Sequence, residues 1–546
     1  MFKQHPKALP FLFFSEMWER FGYYLMIGIF VFYLEDATAG FNMSTKDSAS
    51  LYGTFIALVF FTPFLGGLLA DRYLGYRRSI ILGGILMGIG YCLMGFHNLT
   101  MLYVSMTLVI VGNGFFKPNI STLLGNVYST PQYIKQKDEG YNIFYMGINI
   151  GAFICNFFGA ALYTTIGWAA AFGAAGVGMF IGVITFIAGT KHYAEFDVRK
   201  ELKPGDMPLG KILAIVFLPA IIFGVIGWFM KGTDGYIFDS NSTDAFIFAC
   251  IPVLFFYGLL WFRSSKEERP AMGAMLAIFA VVILFWAIFK QNGSALNIWA
   301  RSYTERQVTG TTGNVLTTLK QTEKTIYKQD SVVVTDEQFR KQKAEGKDVK
   351  GIDYPVYFKN IPPEQRPTEG AEVRTWAPSL SQSINPFWVI VLTPLIVAFF
   401  TWLRRKGKEP STPTKIAFGL LISALSVLVM IAATKVGNNG AEKVSVLWLF
   451  ASYGVITIGE LFLSPMGLSL VSKLSPVRIT SLMMGGWFLS TSIGNKLSGI
   501  LASKWDEYDN KTNYFWLNFF LLFAAAVFLF AMLKWLNRVM KEKGVN

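Results

Sequence analysis

Runs of about 20 mainly apolar residues recur along almost the whole chain, and a helix of that length matches the hydrocarbon thickness of a bilayer. Spans are expected near residues 11–35, 49–70, 79–96, 101–125, 140–164, 168–189, 211–230, 244–262, 271–300, 384–403, 414–434, 446–472, 479–503 and 513–537, about fourteen in all. Charged residues make up 15% of the 546, against about 25% in a soluble globular average. The expected fold class is an all-α polytopic membrane protein, and no cleavable leader is expected before the first span.

Charge orients the spans. With the N-terminus in the cytoplasm, inward loops include 71–78, 134–139, 191–211, 263–269 and 404–415, all rich in Lys and Arg, as is the C-terminal tail. The outward loops EDATAG, FHNLT and KVGNNGAEK are poorer in them, as the positive-inside rule asks, so both termini are expected to be cytoplasmic. The net charge of +14 lies in these short connectors, and no basic soluble module points to nucleic acid. Cys92, Cys155 and Cys250 all sit in apolar segments, which suggests neither a disulfide framework nor a zinc site. With His5, His97 and His192 the only histidines, no nucleophile–His–acid set or metal-ligand spacing is visible. No enzyme, cofactor or metal is expected.

Residues 303–380 break the pattern, being polar and of mixed charge, and are expected to form an extramembrane insert on the outward side. Within it, DSVVVTDEQFRKQKAEG suggests a short strand followed by a helix capped by Thr335, and IPPEQRPTEG an extended linker.

The stretch SEMWERFGYY places Glu16, Glu19 and Arg20 inside the first span. On a helix these residues share a stripe with Tyr23 and Ile27. A charge at mid-membrane costs about 2.5–3.5 kcal/mol on insertion scales, so the cluster needs mutual pairing, water or a function. It reads either as a structural ion cluster or as a site that loads and unloads protons. Lys117 in GNGFFKPN, Lys290 in FWAIFKQNGS and Glu460 in ITIGELFLSP bring the six intramembrane charges to a formal sum of zero, as expected of a shared central cavity fed by both halves of the chain. Glu460, Ser464 and Leu468 form a second stripe at four-residue spacing, and Trp286 lies one turn before Lys290.

These motifs resemble those of the proton-coupled oligopeptide transporters (POT/PTR) of the major facilitator superfamily. SEMWERFGYY is similar to the family's ExxER motif, FYMGINIGAF to its fifth-helix signature, and FFKPN, QSINP, GELFLSP and MMGGWFLSTSIGN to motifs of later helices. The resemblance implies two six-helix bundles, over 1–200 and 270–546, with a two-helix hairpin in the linker 201–269 and the 303–380 insert between core helices 7 and 8. It implies a bacterial inner-membrane symporter that imports di- or tripeptides or related zwitterions together with protons by alternating access. A carrier of a non-peptide anion or modified amino acid, or a transport-like receptor, remains as an alternative. Carried over by position, Glu16, Glu19, Arg20 and Lys117 become the proton-responsive cluster. Tyr23, Tyr145, Asn149, Asn385, Glu460, Ser464, Leu468 and Trp487 become cavity residues, joined by Ile27, Lys117, Trp286 and Lys290 as further candidates for substrate contact. The chain departs from the family at Ile27, where an Arg is usual, at Lys290, where the acid that pairs with that Arg is usual, and at Phe60, where a cavity Tyr is common.

Overall fold

The computed structural model describes residues 5–133, 137–197, 208–230, 232, 237–238, 240–337, 339–344, 347–475 and 480–542. Its first half forms α1 (Ala8–Glu35), α2 (Thr45–Leu69), α3 (Tyr76–Met94), α4 (Leu99–Tyr128), α5 (Lys137–Thr165) and α6 (Trp168–Ala188). Polar residues in the connectors start these helices. Ser44 Oγ accepts the Asp47 N–H of α2 at 3.1 Å, and Asn98 Oδ1 accepts the Met101 N–H of α4 at 3.0 Å. The start of α3 is capped from a distance, because Asp197 Oδ1, beyond α6, accepts the Tyr76 N–H at 2.6 Å.

A hairpin follows, with α7 (Leu209–Ile212) running through a π-helical turn into α8 (Leu218–Phe229), then α9 (Asn241–Arg263). The second half holds α10 (Arg269–Phe289), α11 (Ala295–Ser302), α13 (Ile384–Arg405), α14 (Thr412–Val436), α15 (Leu447–Leu474), α16 (Thr480–Ser503) and α17 (Lys511–Glu542). Among the described residues, eleven helices are long and apolar enough to cross a bilayer. Helices α1, α15 and α16 coincide with the remaining expected spans.

Apolar side chains segregate into two large cores. One is built from α1–α6; the other joins α10, α11 and α13–α17 with the hairpin through Val216, Phe217 and Val253. The halves meet where α2 lies along α16. Glycine permits that contact, since a Cβ at Gly53 would sit 2.7 Å from the Gly499 Cα. The hairpin seals this seam, with the Phe64 and Phe217 rings stacked at 5.8 Å and Ser50 bonded to Ser240 at 2.8 Å.

The insert between α11 and α13 is folded. After α12 (Gly310–Thr318), β1 (Thr322–Ile326) pairs antiparallel with β6 (Glu372–Trp376), β2 (Asp330–Val333) with β5 (Lys350–Asp353), and β3 (Lys343–Ala344) with β4 (Lys347–Asp348). The strand expected at DSVVV forms, but the helix expected after Thr335 does not. Thr335 instead bridges to Lys341, and Phe339 adopts a φ of 64° with its ring 5.1 Å from Tyr303. That stretch has too few apolar residues to offer a helix a buried stripe, so one anchored Phe decides the path. The proline-rich piece is extended apart from a single turn at Pro363–Gln365. The span expected over 271–300 is likewise not continuous: it breaks into a 3₁₀ segment at Lys290–Gly293 before α11 resumes.

Candidate functional site

Packing of α5 against α1 sets the first group of residues. Gly147 and Gly151, four apart in the fifth-helix signature, lie under Phe13 and the Met17 carbonyl, where any Cβ would collide. That close approach shuts Glu16, Glu19 and Arg20 away from solvent, all at 3% exposure or less. The Arg20 Nε serves both acids, at 3.1 Å from Glu16 Oε1 and 2.5 Å from Glu19 Oε2, and the guanidinium sits 5.4 Å from the Tyr23 ring centre. Glu16 Oε2 and Glu19 Oε1 have no hydrogen-bond partner among the described residues.

The second group comes from across the interface and depends on the break in α10. Gln291 is held inside the second bundle, donating to Asn518 Oδ1 at 3.1 Å and accepting from the Tyr514 hydroxyl at 2.9 Å. The backbone freed by the break is satisfied from the 3₁₀ segment Pro378–Ser383 that leads into α13, since the Gln382 side-chain N–H donates to the Asn292 carbonyl and Asn297 Oδ1. With its neighbours fixed, Lys290 extends to Phe60 of α2, its ammonium 5.1 Å from that ring, 5.4 Å from Trp286 and 5.6 Å from Phe289. Lys117 reaches the same Phe60 ring from α4, at 4.0 Å. One aromatic ring thus carries a cation from each bundle, an arrangement favoured by the ring quadrupole in a water-poor site.

Glu460 completes the set. Its Oε2 accepts from Asn385 Nδ2 at 3.1 Å, and Asn385 also donates to Thr457 at 2.9 Å. Lys290 is the cation that Glu460 faces, and the Tyr24 hydroxyl is near enough to interact with Arg20, Glu460 and Glu19. Tyr145 is 41% exposed, while Asn149 spends its N–H on the Tyr145 carbonyl at 2.9 Å. The structure therefore gathers Glu16, Glu19, Arg20, Lys117, Lys290, Trp286, Asn385, Glu460, Tyr145 and Asn149 about the interface of the two bundles.

Other candidates lie differently. The Tyr23 hydroxyl is buried within the first bundle with no hydrogen-bond partner among the described residues, and Ile27 is buried as an apolar residue of α1. Trp487 is packed against Phe279 and over Gly467 inside the second bundle. The side chains of Ser464 and Leu468 lie outside the described residues. Tyr24 and Thr457 join the site without having been singled out in the sequence. A Tyr beside another Tyr, or a Thr on an apolar helix, carries no anomaly that a pattern would flag.

Towards the insert lies a layer in which Asn156 donates to Ser383 at 3.2 Å and Gly28 admits the Asn156 amide against α1. Farther out, Arg301 of α11 pairs with Glu35 of α1 at 2.6 Å. Glu35 also accepts from Ser48 at 2.7 Å, and its carbonyl takes the Lys341 ammonium of the insert at 3.1 Å. These groups line a cavity of about 510 Å³ under the insert, with Arg306 and Glu323 paired at 3.1 Å on its far side.

Two helical bundles that meet around a buried and half-buried set of three acids and three bases define a polytopic membrane transporter of the major facilitator type. The POT family model matches residues 77–322 and 374–517, and the chain belongs to the POT family. The unmatched gap falls inside the insert. Dipeptide and tripeptide permease A of Escherichia coli (strain K12) is 28% identical over 514 residues, covering 94% of this chain and 87% of the permease. The di-/tripeptide transporter of Lactococcus lactis subsp. lactis is 28% identical over 505 residues, covering 90% and 88%. Among solved structures, a mutant peptide transporter POT in complex with alafosfalin aligns with a TM-score of 0.75 at 27% identity, covering 99% of this chain and 97% of that one. A POT family transporter in complex with 5-aminolevulinic acid gives 0.75 at 25%, covering 99% and 98%. The family and these relatives are transporters.

Proposed function

We propose that this protein imports dipeptides and tripeptides across a bacterial inner membrane, both termini cytoplasmic, using the proton gradient and alternating access of the central cavity. The observation that carries the reading is the opposed charge set. Glu460, aligned by Asn385, offers a carboxylate to a substrate ammonium, and Lys117 and Lys290, both beside the Phe60 ring, offer cations to a carboxylate. A zwitterion brings the complement to both signs of charge. On this reading Glu16 and Glu19, sharing one guanidinium, carry the proton, because two acids against one Arg leave a charge to be matched by a proton or by Lys117.

Ile27 favours a second substrate class. Without a guanidinium at that position the site loses a planar, bidentate carboxylate clamp, and an ammonium such as Lys290 holds a carboxylate without fixing its orientation. Modified amino acids and other small zwitterions then compete with peptides. A binding panel separates the readings: dipeptides and tripeptides with free termini, the same ligands blocked at either end, and single amino acids with an added anionic group. Tight binding of free peptides, lost on blocking the amino terminus, supports the peptide reading. Preference for a non-peptide zwitterion over every peptide contradicts it.

A further inference from the structure

At the end of the molecule opposite the insert, the C-terminal parts of α9 and α17 and the start of α10 leave a groove of about 490 Å³. Two indoles, Trp261 of α9 and Trp535 of α17, form its walls, and Gly273 of α10 forms its floor. A Cβ at Gly273 would stand 3.1 Å from Trp261 Nε1 and 3.7 Å from the Trp535 ring, so the missing side chain is what keeps the trough open. Deeper in, Met532 and Ala277 continue an apolar lining along the spans.

The rim is different in kind. Lys266 is exposed and has no ion-pair or hydrogen-bond partner among the described residues. Arg269 ties one terminal nitrogen to the Phe262 carbonyl at 2.6 Å, closing the end of α9, while its Nε makes no hydrogen bond among the described residues. The adjoining chain carries Arg263, Lys266, Arg269, Lys534, Arg538 and Lys541 against Glu267, Glu268 and Glu542, an excess of three cations. Indoles at the level of the helix ends belong at a membrane–water boundary, and the Trp261 N–H there makes no hydrogen bond among the described residues.

We infer that this groove is a binding site for an anionic phospholipid, the phosphodiester held by Lys266, Arg269 and the Trp261 N–H, and one acyl chain lying in the trough over Gly273. A soluble anion would use the rim alone and leave the apolar trough unfilled. A zwitterionic lipid would fill the trough but bring its own cation to a surface that already has an excess of them. The bound lipid would join the hairpin helix α9 to α10 and α17, elements that otherwise meet here across an open furrow.

The test uses the full chain in nanodiscs, with phosphatidylglycerol or phosphatidylcholine brominated on the acyl chains as quenchers of tryptophan fluorescence. The signal of the groove is the difference between the protein and its Trp261→Phe/Trp535→Phe variant. Brominated phosphatidylglycerol is expected to quench that difference at lower mole fraction than brominated phosphatidylcholine. Lys266→Gln should raise the mole fraction needed by about fivefold. Gly273→Leu should remove the preference while leaving helicity and thermal stability unchanged, and Lys266→Gln, on the surface, covers the case in which the Leu variant fails to fold. Equal quenching by the two lipids overturns the inference, as does a preference that survives both substitutions. Displacement of the lipid by millimolar glycerol 3-phosphate also overturns it, by making the site one for a free phosphate.

Discussion

Arg20 holds two carboxylates at once and is enclosed by α5, so neither acid can be lost without leaving a mismatch in a water-poor space. Losing a charge-assisted bond of this kind costs about 1.5–3 kcal/mol, or about 10- to 100-fold in an equilibrium or rate. Glu16→Gln and Glu19→Gln are therefore each expected to depress uphill uptake driven by a proton gradient by at least about tenfold, while substrate exchange, which need not release the proton, changes by less than about threefold. Parallel uptake and exchange assays check this, and full gradient-driven uptake in both variants would remove the acids from proton coupling. Lys290 gives a second prediction: Lys290→Gln should weaken a dipeptide with a free C-terminus by about tenfold and hardly change its C-terminal amide, measured by calorimetry. Equal weakening of both would make Lys290 a partner of Glu460 alone. The six charges of the site were legible in the sequence because a bilayer makes every one of them anomalous. Phe60, whose ring takes a cation from each bundle, was legible only as a departure from a family pattern, and Tyr24 not at all, since aromatics in apolar helices are ordinary.

Among elements, the break in α10 is what aims Lys290, and it was hidden because FWAIFKQNGSALNIWA is apolar enough to read as one span. The helices themselves were legible from length and hydropathy. Of the insert, only its existence, the DSVVV strand and the extended proline-rich piece were legible, because the rest of its path follows single anchors such as Phe339 on Tyr303 rather than any periodicity. The elements also differ in how they join the bundles. Glu35–Arg301 ties α1 to α11 at the insert end. Glu35→Gln is expected to loosen this end. With spin labels at residues 46 and 510, on α2 and before α17, the long-distance population should grow in the variant. A distribution identical to that of the unaltered protein would show that the pair carries no load. Nearby Asp506, between α16 and α17, is pushed up from 3.8 to about 6 by burial, against the opposing charge of Lys511 and with Glu35 adding to the rise. Its ionised form is thus disfavoured in the folded protein. The cost is absent below pH 4, where the acid is protonated folded or unfolded, and complete above pH 6, at no more than about 3 kcal/mol. Asp506→Asn should accordingly raise the melting temperature at pH 7.5, with the gain shrinking as pH falls from 6 to 4. A gain independent of pH would contradict the assignment.

At the scale of the molecule, the insert touches both bundles. Glu323 accepts from Tyr163 of α5 at 2.8 Å, Lys341 bonds Asn42 at 2.6 Å, and Arg340 reaches the Asp506 carbonyl at 3.1 Å. It contributes no residue to the central charge set. Replacing residues 305–376 by a short flexible linker should therefore leave dipeptide affinity within about threefold, since surface loops tolerate changes in length, while altering how readily the bundles part at that end. Loss of binding in a folded deletion variant would make the insert a recognition element. The proposed import function rests on coupling between a proton gradient and peptide movement through the centre of the molecule. The most direct measurement is uptake of a labelled dipeptide into liposomes containing only the purified chain, with no peptide gradient and an imposed proton gradient. The account predicts accumulation above the external concentration that collapses on adding a protonophore and is lost in Glu460→Gln. Equilibration without accumulation, or accumulation indifferent to the protonophore, would contradict it.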